Sequence, residues 1–83
     1  MLKRALVQPE PGIVTFQATW AAALGGREQA QLGWVDGSLA VVLLPAVPGW
    51  FLHTGFGPCD AEGLVFHTLA EAREWILHRY AQS

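Results

Sequence analysis

The chain has 83 residues, room for one domain. Hydrophobic residues make up 52% of it and charged residues 14%, about half the usual charged share, which excludes an intrinsically disordered chain. A net charge of -2 argues against a protein that coats nucleic-acid phosphates, and a single Cys excludes an internal disulfide framework or a Cys-only zinc site.

Residues 1–12 close on Gln8-Pro9-Glu10-Pro11-Gly12, where two prolines and a glycine stop any regular element. The segment reads as an N-terminal arm ahead of a single domain at 13–83. Lys3 and Arg4 imitate the start of a secretory signal, but only Ala5-Leu6-Val7 follows before the polar run, too short for its apolar segment. The expected address is therefore the cytoplasm.

Residues 13–24 alternate with period two, placing Val14, Phe16, Ala18 and Trp20 on one side of a strand. A three-residue turn at 25–27 would set Trp20 near Leu32 and Ala18 near Trp34. Residues 29–35 alternate again and end at Asp36-Gly37, a strong hairpin signal because both central residues of a type I′ turn need positive φ. Residues 38–44 form the returning strand. An unbroken register would pair Trp34 with Leu39, Leu32 with Val41, and Ala30 with Leu43 on one face. The opposite face would then carry Ala40, Val42 and Leu44 beside Gln29 and Gln31, too apolar for a purely solvated surface.

Pro45 to Gly49 is a connection, and Trp50 to Thr54 a fourth strand. Because Pro45, Pro48 and Gly49 interrupt the apolar run from Leu39 to Leu52, it does not read as a membrane span. A loop over 55–63 and a short strand at Leu64-Val65-Phe66 lead to a helix start. Thr68 fits the N-cap and Glu71 the third helical position of a capping box. The helix runs to about Ala81, with Leu69, Ala72, Ile76 and Tyr80 as its apolar stripe and Trp75 and Leu77 flanking it. The predicted fold is α+β: an antiparallel β-meander of four to five strands with one C-terminal helix across the face carrying Phe16, Trp20, Trp34 and Val41.

His53, Cys59, Asp60 and His67 are the one cluster of metal-ligand types, which pairing of the fourth and fifth strands could gather. Their spacing follows no established zinc pattern, so no metal or other cofactor is assigned. Cys59 beside a histidine could also form a nucleophile–base pair, although no oxyanion donor or third group is identifiable. Gly55-x-Gly57 leads to Pro58 rather than a helix, and no phosphate-cradling Gly-Lys-Ser/Thr exists. Paired carboxylates are scarce: Asp60 and Glu62 are turn-type loop residues, and Glu71 and Glu74 belong to a solvated helix face. Trp50, Phe51 and Phe56 could stack bases, but the basic residues Lys3, Arg4, Arg27, Arg73 and Arg79 are scattered rather than aligned.

Four tryptophans in so small a domain exceed what one core encloses, and surplus apolar surface is commonly buried against a second subunit. The sequence therefore points to a non-enzymatic binding or assembly module, homodimeric, with Ala40, Val42, Leu44, Trp50 and Phe56 as the candidate interface and a protein partner possible. Two alternatives carry less support. One is a single-stranded nucleic-acid or regulatory module using the sheet. The other is a metal- or Cys-dependent enzyme centred on 53–67.

Overall fold

The computed structural model describes residues 13–23 and 26–83. The expected arm at 1–12 lies outside them. Five antiparallel strands follow one another as a meander in the order β1-β2-β3-β4-β5: β1 Val14–Ala23, β2 Gly26–Val35, β3 Ser38–Pro45, β4 Trp50–Gly55 and β5 Val65–Phe66. A 3-10 turn at Gly57–Cys59 links β4 to β5, and α1 Leu69–Ala81 follows β5. The predicted α+β architecture is the observed one.

Local chemistry accounts for the turns. Asp36 and Gly37 both have positive φ, 51° and 86°, which a β-hairpin of two loop residues demands. Asp36 also ties the start of β1 to the turn: its Oδ1 accepts from the Ile13 amide at 3.2 Å, and its own amide donates to the Ile13 carbonyl at 3.3 Å. At the helix start Thr68 Oγ1 accepts from the Glu71 amide at 3.1 Å. Glu71 Oε1 reaches back to the His67 amide at 2.9 Å, one residue before the N-cap. The capping box is thus real, with its return bond displaced by one position.

Two irregularities set the faces of the sheet. Gly33 pairs with Val41 but Trp34 pairs with Leu39, so β3 carries an extra residue, Ala40. Val42 pairs with Thr54 but Leu43 pairs with Leu52, so β4 carries an extra residue at His53. A bulge shifts every pairing beyond it by one, which turns the side chains there to the other face. The expected pair Trp34–Leu39 forms, whereas Leu32 meets Val42 and Gln31 meets Leu43. The first hairpin shows a similar correction. Ala23 pairs with Gly26, so two residues separate β1 from β2, and Phe16 faces Gly33 while Trp20 faces Gln29.

The core lies between the sheet and α1. Val41, Leu43, Leu52, Cys59 and Ile76 are its largest fully buried side chains, with Val14, Val35, Ala40, Phe66 and Ala72 around them. Leu69, Trp75, Leu77 and Tyr80 of α1 pack against this cluster, as the apolar stripe predicts. Gly33 marks the closest approach. A Cβ there would meet Val41 Cγ2 at 2.6 Å, Phe16 Cε1 at 3.2 Å and Ile76 Cδ1 at 3.5 Å, so this face of β1–β3 is the one beneath the helix. Trp34, next to Gly33, is consequently on the far face, contrary to the sequence expectation. Gly33→Ala is expected to lower stability by about 1–3 kcal/mol through overpacking, read as a lower urea midpoint. An unchanged midpoint would mean that α1 does not bear on the sheet at this position.

Candidate functional site

The register disperses the predicted metal cluster. β4 and β5 do pair, Trp50 with Phe66 and Phe51 with Val65. Continuing that antiparallel register sets His53 opposite Gly63 and His67 opposite Gly49, consistent with the Gly63 amide donating to the Leu52 carbonyl. The two histidines therefore sit about four residues apart along the ladder, roughly 13 Å at ~3.3 Å per residue. Both are exposed; His53 Nδ1 lies 2.8 Å from Thr54 Oγ1, and His67 Nδ1 lies 3.6 Å from Glu71 Oε1. Among the described residues, no three His, Cys, Asp or Glu side chains come together as a metal-holding group.

Cys59 is a core residue rather than the loop thiol its surroundings in sequence suggest. The 3-10 turn carries it inward against β3 and α1, where it is fully buried. Burial pushes its pKa above the ordinary 9.0, and the Arg79 guanidinium only partly opposes this. Arg79 itself is held in place: its Nε donates to the Pro58 carbonyl at 2.8 Å, and its guanidinium lies 5.5 Å over the Trp75 ring. Trp75 in turn sits 5.6 Å from Phe66, tilted by 50°. The arrangement locks the 3-10 turn to the helix and leaves a protonated, inaccessible sulfur, the opposite of what a nucleophile needs.

Two open grooves flank this region. One, of about 440 Å³, is lined by Phe51, His53, Thr54, Asp60 and Glu62 among others. The second, about 320 Å³, is lined by Gly57, Pro58, Arg79, Gln82 and Ser83. Neither contains an unpartnered buried polar group aimed inward, so neither has the built polar centre of a small-molecule site.

The sheet face away from α1 carries the strongest chemical signal. Parity along the observed registers places Leu32 and Trp34 of β2, Leu39, Val42 and Leu44 of β3, and Phe51 of β4 on that face, with Val65 of β5 at its border. None of these belongs to the core cluster or to the partly buried side chains packed on it. Of the five residues expected to form an interface, Val42 and Leu44 lie here, half-buried. Ala40 does not: the bulge turns it into the core, where it is fully buried. Trp50 also faces the core, packed against its cluster. Phe56 is 42% exposed in the loop after β4, its amide donating to the Ala40 carbonyl at 2.9 Å.

The bulge that removes Ala40 brings Leu32 and Trp34 onto this face in place of the expected Gln29 and Gln31. The face is thus more apolar than the sequence suggests. Trp34 Nε1 is buried there without an acceptor, a loss worth about 1–3 kcal/mol for an unsatisfied donor. Of the described arginines, Arg73 and Arg79 are on α1, on the other side of the sheet, and Arg27 is in β2 next to the β1–β2 connection. Among the described residues, no helix is long and apolar enough to cross a membrane.

Compared with known protein families, curated proteins and solved structures, the chain has no match in any of the three.

The raised Cys59 pKa has a pH consequence. The folded thiol keeps its proton where the unfolded one, near 9.0, loses it. Its contribution to stability is complete below about pH 9 and is lost as pH rises toward the folded value. Denaturation from about pH 8 to pH 10 should therefore show a steeper decline for the wild type than for Cys59→Ala. The native thiol should also resist alkylation; rapid labelling below pH 8 would show that it is not buried.

Proposed function

We propose that this chain is a non-enzymatic assembly module that joins with a second copy of itself through the sheet face opposite α1. The observation that carries this reading is the apolar character of that face at Leu32, Trp34, Leu39, Val42, Leu44 and Phe51, while both the helix and the 3-10 turn lie on the other side. Antiparallel sheets tolerate one solvated face when it is polar; here β1 supplies Thr15, Gln17 and Thr19 and β4 supplies Thr54, but the central strands present an apolar layer.

The sheet sets the width of the contact. Five strands about 4.8 Å apart, over roughly six residues of ~3.3 Å each, bound the face to about 24 by 20 Å, and its apolar residues occupy the three central strands, about 14 by 20 Å before pleat and side chains add area. That apolar stretch is at the low end of the ~300–600 Å² patches of typical monomers, and the polar residues of β1 on the same face extend the contact toward the ~800 Å² each partner contributes to a stable interface. A second copy presents the same apolar layer and forms a two-sheet sandwich with the helices outside. The free, buried Cys59 accords with a reducing compartment, and we assign the module to the cytoplasm.

Nucleic acid is the less supported occupant, because Arg73 and Arg79 are on the helix and, among the described residues, no row of basic residues follows the face. Metal- or Cys-dependent catalysis is less supported still, given separated histidines and a buried thiol.

Native mass spectrometry over a concentration series tests the reading. Even multiples of 9.0 kDa are expected. Leu44→Asp should weaken the face contact by at least about 30-fold, because an unpaired buried carboxylate costs on the order of 2 kcal/mol or more. A wild type that stays at 9.0 kDa throughout would overturn the proposal.

A further inference from the structure

β1 is an edge strand of ten residues, and among the described residues no strand pairs with its outer side. Edge strands normally carry a device against pairing with other chains: a proline, a charge, a bulge or a short length. The opposite edge has one, since β5 is only two residues long and leads directly into α1. β1 has none of them. Val14–Ala23 reads VTFQATWAAA, with no proline and no charged residue, and its register with β2 runs unbroken through ten pairs.

The hydrogen-bonding phase of this edge can be derived. The Ile13 carbonyl accepts from the Asp36 amide, so Ile13 points toward β2. Alternation along an antiparallel strand then turns the amides and carbonyls of Val14, Phe16 and Ala18, and of the even positions beyond, away from β2. A twofold axis perpendicular to the sheet at Ala18 matches these groups to their own copies. Ala18 then faces Ala18 of the other copy, Phe16 faces its Trp20, and Val14 faces its Ala22. Each such pair exchanges two hydrogen bonds, about ten in all. The smallest side chain is at the axis, and an aromatic pair lies on either side of it, an arrangement that favours cross-strand packing. Ala18 is exposed, so the residue at the axis is placed to meet its copy.

We infer that the outer edge of β1 is a second self-association surface, taking β1 of another copy in antiparallel register centred on Ala18. Two sheets of five strands then become one of ten, with both helices on the same side. The sheet-face contact is a separate surface. The two together build a dimer of dimers.

Ala18→Cys tests the register directly. Directly opposed residues of a hydrogen-bonded antiparallel pair have Cα atoms about 5.5 Å apart, within disulfide range. Mild oxidation should yield a covalent dimer, and Cys59, being buried, should not contribute. Ala18→Lys opposes two like charges at the axis and should weaken edge association about tenfold or more, with Ala18→Ser as the folded control. The wild type should reach four times 9.0 kDa, and Ala18→Lys should stop at twice 9.0 kDa. If Ala18→Cys does not crosslink and Ala18→Lys leaves the mass unchanged while Leu44→Asp lowers it, the edge inference fails and the face contact stands. If Leu44→Asp changes nothing and Ala18→Lys gives monomers, the edge stands and the face contact fails.

Discussion

Among the described residues, one helix serves a sheet whose two faces both carry apolar side chains. That mismatch governs the rest of the structure. α1 covers the side carrying Val41, Leu43 and Leu52 and, with Cys59 from the 3-10 turn, completes a small core. The other side holds Leu32, Trp34, Leu39, Val42, Leu44 and Phe51 in a single layer, and the described chain contains no second helix for it. In a domain of this size, stability depends heavily on apolar surface removed from water, so an apolar face left only half-buried represents unused stabilisation. A second copy of the same sheet is the simplest complement, since each face is already matched in width and twist to itself.

The elements of the fold are legible in the sequence because they follow from local chemistry. Period-two alternation marks β1 and β2, Asp36-Gly37 marks their neighbouring hairpin, and Thr68 with Glu71 marks the helix start. The allocation of side chains to faces was less legible. A β-bulge adds a single residue and leaves little trace in a strand as uniformly apolar as Leu39–Leu44. Ala40 and His53 are the two extra residues, and they decide that Leu32 opposes Val42 and that Ala40 is internal. Beyond each bulge the strands keep their order while their side chains exchange faces.

The same distinction explains the candidate chemistry. The sequence gathers His53, Cys59, Asp60 and His67 because they are neighbours along the chain or on adjacent strands. Antiparallel pairing brings the strands together while setting the two histidines at different rungs. The 3-10 turn then buries the thiol and leaves Asp60 exposed. One signal was present in the sequence: Pro58 before Cys59 favours a tight turn, and Arg79 was available in the last helical turn to fasten it. What reads as a potential reactive centre is a structural clasp between loop and helix.

The most direct test of the central claim is carbene footprinting of the wild-type chain at increasing protein concentration. Labelling at Leu32, Val42 and Leu44 should fall as copies associate, while Val47, fully exposed in the β3–β4 connection, keeps a constant label as internal reference. Labelling of the reverse face that does not change with concentration, in parallel with Val47, would contradict the account.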